Sequence, residues 1–285
     1  MAGVCIRCGN QKELIQSHVV SALLGKRIFP EPPMKAYTVR YGATPPGTTT
    51  PSSPAATRWR LAQDLPKPRL MCRACDGALS ADEDALAKWL DTIGIAKKPG
   101  PIYDDACLKP TTLACLPDFR EYNLPEEQAN LVRRVALITA WRALHATAQS
   151  SSVPGSPSLV LQYLQSCRGK ALHDTVTRFL DSPQAPVPGY LSVLVPPYPL
   201  TIAIAGKPDV APFGWDVMLH PGGDGSTTYV VCLWFAHWLV LWVPDQPHGD
   251  PVVAELVAMT FMSRSAATWP MQVLAPRVQA AASAL

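Results

Sequence analysis

Four cysteines fall into two Cys-x-x-Cys pairs, Cys5-Ile6-Arg7-Cys8 and Cys72-Arg73-Ala74-Cys75. Two residues between thiolates let both sulfurs converge on one tetrahedral ion, and the intervening backbone forms a knuckle whose amides can hydrogen-bond the sulfurs. Gly9, directly after the first pair, lets the knuckle turn. Two such half-sites make a closed four-thiolate centre, the structural type of zinc site with no open position. The 63 residues between Cys8 and Cys72 exceed what a compact finger uses, and a proline-loaded insertion accounts for much of the excess. A thioredoxin-like redox pair is the rival. It needs a preceding strand and a helix starting inside the motif, and residues 1–4 are too short to supply a sheet. Cys107, Cys115, Cys167 and Cys232 lack metal spacing and are expected to be free thiols.

The elements that must position these thiols are legible in outline. After the second pair, Ser80 and Glu83 have the spacing of a capping box, so a helix is predicted to begin there with Leu86, Trp89, Leu90 and Ile93 on one side. The insertion, residues 30–68, contains a run from Ala43 to Pro54 that can form neither helix nor central strand, and it is expected to be exposed. Residues 99–182 read as helical. Asn123, Pro125, Glu126 and Glu127 form a helix entry, and Val135 to Ala148 is apolar nearly all round apart from Arg142 and His145, which predicts a central buried helix. Two more helical segments are predicted over Ser158–Cys167 and Lys170–Leu180.

Beyond the prolines between Pro183 and Pro199 the pattern shortens to strands: Tyr190–Val195, Leu200–Ala205, Trp215–Leu219 and two that meet at Ala236–Trp238 within Tyr229–Val243. Tyr229–Val243 has no formal charge, but it is shorter than the roughly 18–20 residues of a spanning helix and contains His237, so no membrane span is expected. Its tryptophans, Trp234, Trp238 and Trp242, suit a core or, less readily, a partner surface. One more helix is expected over Val252–Met262. The predicted fold is α+β, in three regions: a zinc-stapled module over 1–98, a helical region over 99–182, and a mainly antiparallel β region over 183–285 that forms either its own domain or one domain with 99–182.

The order of parts resembles a treble-clef zinc finger, and within that class the zinc-stapled HNH endonucleases. The residues that carry the resemblance are Cys5-x-x-Cys8-Gly9, then Ser17-His18-Val19-Val20, and later Leu70-Met71-Cys72-x-x-Cys75-Asp76. It covers residues 1–95, about a third of the chain. It implies a strand ending near His18, a second Cys pair opening a helix, His18 as the general base on a water, and a divalent ion, Mg2+ or Mn2+, beside it at the scissile phosphate. Asp76 stands in the position of the family's usual Asn or His and would join the site. No histidine follows in Gly77–Glu83, so Glu83, or Asp82 or Asp84, would supply hard oxygen ligands instead. The residue before the base, commonly acidic in that family, is Ser17 here.

The chain has 285 residues, 48% of them hydrophobic and 16% charged, which excludes a disordered tail. Its formal net charge of +3 is unevenly spread. Residues 1–75 hold eleven Lys and Arg against three acids, an excess suited to a polyanion or simply to a solvated surface. No secretory signal pattern opens the sequence, so a cytoplasmic protein without a disulfide framework is expected.

Two functions compete. The first is a metal-dependent HNH-like nuclease cutting nucleic acid, in a setting such as bacterial defence, with Lys26, Arg27, Arg58, Arg60, Arg69 and Arg73 holding phosphates. The second is a non-catalytic zinc-finger protein that binds nucleic acid, or a protein partner through its C-terminal region. A third reading, a small-molecule sensor in the C-terminal sheet coupled to the N-terminal finger, finds no phosphate loop, hydrolase elbow or paired carboxylates there to name a ligand.

Overall fold

A left-handed residue turns the chain between its first two strands: Gly9 has a φ of 67°. It lies between β1 (Ala2–Val4) and β2 (Gln11–Gln16), which pair antiparallel. Two strands inside the insertion, β3 (Ala36–Arg40) and β4 (Arg58–Ala62), pair with each other. β5 (Arg69–Cys72) then returns to β2, with Leu14 opposite Cys72 and Ile15 opposite Met71, completing a sheet of order β1-β2-β5. The chain passes from β5 straight into α1 (Arg73–Thr92). The computed structural model describes residues 2–21, 36–40, 58–62, 67–92, 107–114, 116–150, 159–182, 184–195, 202–204, 207–210, 213–221, 227–235 and 238–244.

The capping box predicted at Ser80 does not form, because the helix has already begun at Arg73. Ser80 lies within it, its hydroxyl donating to the carbonyl of Gly77 at 2.7 Å, and Glu83 turns inward instead of back to an N-terminus. Helix entry is set by the strand and the second Cys pair, which outrank the local signal. The buried stripe is Leu79, Glu83, Leu86, Ala87 and Leu90, the spacing of one helical face.

Most of the remaining strands share one antiparallel sheet. β6 (Leu108–Pro110) and β7 (Arg120–Tyr122) come from the middle region, which sequence periodicity reads as helical throughout. Three-residue strands are too short to leave an alternating signature. Next come α2 (Glu126–Ser150), α3 (Leu159–Gln165) and α4 (Cys167–Asp181). The break between α3 and α4 falls at Ser166, whose hydroxyl accepts from the Gly169 amide and caps α4. β8 (Tyr190–Val195), a small pair of β9 (Ile202–Ile204) with β10 (Lys207–Val210), β11 (Phe213–Pro221), β12 (Thr227–Phe235) and β13 (Trp238–Val243) follow. The main sheet has the order β11-β12-β13-β8-β7-β6. The helix predicted over Val252–Met262 lies outside the described residues.

α2 is the hub. Its Val135, Ala136, Leu137, Ile138, Ala140, Trp141, Ala143 and Leu144 are all buried, as a helix covered on every side requires. It packs on α1 and α3 and against β5, β8, β11, β12 and β13. Every residue of β13 is buried. Trp238 and Trp242 belong to the core, their indoles donating to the Tyr122 hydroxyl and the Pro188 carbonyl at 2.8 and 2.9 Å. The fold is thus mixed helix and antiparallel sheet around a core continuous from Cys5 to Trp242. Among the described residues no helix is long and apolar enough to cross a membrane.

Candidate metal centre

The knuckle and the start of α1 bring four sulfurs together. The Sγ atoms of Cys5, Cys8, Cys72 and Cys75 lie within 4.8 Å of one another, near the roughly 3.8 Å edge of a tetrahedron built from 2.3 Å metal–sulfur bonds. The backbone fixes the arrangement. The Gly9 amide donates to the Cys5 carbonyl at 2.9 Å, the Cys5 amide to the Asn10 carbonyl at 3.0 Å, and the Ile6 amide to the Leu70 carbonyl at 3.0 Å, which fastens the knuckle to β5. The Cys72 amide points at the Cys5 sulfur at 3.4 Å, a bond between one half-site and the other. Cys5 and Cys72 are buried, and Cys8 and Cys75 half-buried.

Hydrogen bonds ease the loss of the proton at two of these thiols, Cys8 and Cys72. A hydrogen bond from the Asn10 backbone lowers Cys8 from 9.0 to about 7, and one from the Cys75 backbone lowers Cys72. Burial pushes Cys75 strongly upward. Four negative sulfurs cannot coexist at this spacing without a counter-charge, which a soft divalent ion would supply. The cluster can therefore hold a metal ion. The second pair does have a preceding strand and a helix opening inside the motif, the layout a redox dithiol needs. The convergence of all four sulfurs favours metal binding over that alternative.

The other residues singled out in the sequence fall into two sets. His18 follows β2 by two positions in an irregular stretch and is half-buried; beside it Ser17, Val19 and Val20 are buried. Asp76 and Glu83, both on α1, converge on one guanidinium. Arg142 of α2 donates through Nη2 to Asp76 at 3.2 Å and through Nη1 to Glu83 in a short, buried bond. Asp82 is paired with Arg134 of α2 at 2.6 Å, and Arg134 also donates to the Phe179 carbonyl at 3.1 Å. Asp84 is exposed. Among the described residues, the four cysteines make the one cluster of His, Cys, Asp or Glu suited to an ion.

Arg142 is the residue that sequence reasoning passed over. A lone arginine in an otherwise apolar helix has to be paired when it is buried, and the acids of α1 were the available partners. Arg7, inside the knuckle, was also missed as a connector: Nη1 donates to the Cys75 carbonyl at 3.3 Å and Nη2 to Asp181 of α4 at 2.7 Å. Comparison of the chain with protein-family models, curated proteins and solved structures found no match.

Proposed function

We propose that this chain is a nucleic-acid-binding protein whose Cys5, Cys8, Cys72 and Cys75 hold one structural zinc ion in a treble-clef arrangement, and that the module binds without cutting. Soft thiolates in a closed set of four suit zinc, which stabilises the fold and leaves no coordination position for chemistry. The order of knuckle, antiparallel strands and helix opening at the second Cys pair supports the treble-clef assignment. The basic excess of residues 1–75 supports a polyanionic partner. The observation that carries the non-catalytic reading is Arg142. Its guanidinium takes one oxygen each of Asp76 and Glu83, the carboxylates that would otherwise be offered to a divalent ion.

His18 keeps the HNH nuclease in view as the second reading, since it follows a strand paired to the one that leads into α1. In that reading His18 takes a proton from water, and Asp76 and Glu83 leave Arg142 to ligate Mg2+ or Mn2+. The test is to measure binding and cleavage of duplex and single-stranded DNA and RNA with magnesium, manganese or chelator, for wild type and His18→Ala. Binding without cleavage, equal in both proteins, is expected. Metal-dependent cleavage lost in His18→Ala would establish the nuclease. Neither binding nor cleavage would refute both.

A further inference from the structure

An arginine sits inside the first Cys pair and answers to the second. Arg7 lies between Cys5 and Cys8, and its side chain is 15% exposed. Its Nη1 donates to the carbonyl of Cys75 at 3.3 Å, and its Nη2 donates to Oδ1 of Asp181 at 2.7 Å. A carbonyl in the first turn of a helix already accepts from the amide four residues on, so Arg7 takes its second lone pair. Asp181 is the last residue of α4, so the guanidinium also lies at the negative end of that helix. Two bonds to two different elements fix the plane of the fork, which a single-point donor cannot do.

The backbone bonds between the half-sites secure the buried sulfurs: the Cys72 amide meets the Cys5 sulfur, and the Ile6 amide meets the Leu70 carbonyl. Cys75 is half-buried and lies one turn on, inside α1. Its backbone is what Arg7 holds, and with it the distance from its sulfur to the first pair. Charge adds to position. A divalent ion on four thiolates keeps a net negative charge, and a guanidinium beside it, largely shielded from water, offsets part of that charge. Resting on the four-cysteine zinc reading above, we infer that Arg7 is a positioning residue of the metal centre, and that Asp181, from outside the Cys module, sets how firmly the ion is held by orienting Arg7.

The test uses the full chain and zinc itself, with affinity read by competition against a chromophoric chelator and the release rate by trapping the ion in excess chelator. Groups that orient metal ligands from outside the coordination shell change affinity by roughly 10–100-fold, and a clamp on a backbone carbonyl belongs at the lower end, so Arg7→Met should bind zinc about tenfold more weakly and release it faster. Arg7→Lys keeps the charge without the fork and should fall between Arg7→Met and wild type. Asp181→Ala should lose about threefold, because that carboxylate is 56% exposed. Arg7→Met/Asp181→Ala should be no weaker than Arg7→Met alone, since Asp181 acts through Arg7, whereas two independent structural losses would add. Co2+ at saturation should give every variant the same four-thiolate absorption, which places the loss in retention and not in the ligand set. Arg133→Met/Glu126→Ala removes an exposed ion pair within α2 and should leave affinity and release rate unchanged. Unchanged zinc affinity in Arg7→Met, an equal loss in the α2 variant, or losses that add in the double variant would overturn the inference while leaving the four-cysteine zinc site intact. If Arg7→Met folds poorly, Asp181→Ala decides alone, and unchanged affinity there overturns the inference. Wild type that binds no zinc would overturn both.

Discussion

Arg142→Met tests the claim that Asp76 and Glu83 serve the fold. The substitution keeps a long apolar stem and removes the charge. Arg142 and Glu83 are both buried, 2% and 6% exposed, and removal of the guanidinium leaves the Glu83 carboxylate without a counter-charge. Losing one member of such a pair costs about 3–5 kcal/mol. Asp76 has access to water and adds little. At roughly 2–4 °C per kcal/mol for a chain of this size, the midpoint of thermal unfolding should fall by about 6–20 °C. The double variant Arg142→Met/Glu83→Leu removes both charges and should recover at least half of that loss, because a buried ion pair is often replaceable by apolar groups. Calorimetry of the zinc-loaded proteins completes the cycle. A loss under about 1 kcal/mol in Arg142→Met, or a double variant as unstable as the sum of the singles, would show that the pair is not a structural unit.

Three further outcomes are expected. Metal analysis should find one zinc per chain, and Cys72→Ser should lose both the ion and the soluble folded state, since binding free energy in such sites is folding free energy; four freely titrating thiols in a stable fold would refute this. His145 has a buried Nε2 with no hydrogen-bond partner, and burial, aided by His173, lowers its ring from 6.5 to about 3. The folded state thus favours the neutral ring, so the stabilisation is complete above about pH 6.5 and is lost as pH falls toward 3; unfolding midpoints of His145→Phe should depend less on pH across that window. Gly189, at a φ of 71°, sits where a Cβ would come within 2.2 Å of the Val243 carbonyl and 2.7 Å of that of Pro244. Gly189→Ala should cost about 3 kcal/mol or more in denaturant unfolding, and a neutral result would refute that close approach.

The parts legible in the sequence are those whose signal is local and strong. The two Cys pairs announced a shared centre because four thiols so spaced can converge on one ion, and the uncharged run Tyr229–Val243 announced two buried strands, realised as β12 and β13. The entry of α2 was legible at Asn123–Glu127 because a proline and two acids mark a first turn. What was not legible depended on partners distant in sequence. Ser80 and Glu83 matched a capping box, yet Glu83 answers to Arg142, fifty-nine residues away. β7 forms on the edge that β8 offers and β6 on the edge of β7, and three residues cannot announce a strand on their own. The prolines of the insertion exclude helix and central strand only over the run from Ala43 to Pro54, and the β3–β4 ladder lies outside that run.

The four-cysteine cluster shares its apolar support with the rest of the fold. Cys5, Leu14, Leu70, Met71, Cys72, Leu79 and Leu86 belong to the same core as the residues of α2 and the main sheet. Three arginines reinforce that apolar continuity: Arg7 ties the knuckle to α4, Arg142 ties the first three turns of α1 to the middle of α2, and Arg134 ties Asp82 to α2. All three cross between the Cys module and the helices, so loss of an ion held by the four cysteines would remove support from both. Chelation should then lower a single cooperative transition by heat, with the near-ultraviolet signal of the buried tryptophans moving together with the far-ultraviolet signal of the helices. Two separated transitions, the first confined to the knuckle and α1, would mean that the arginine ties are too weak to couple the module to the core.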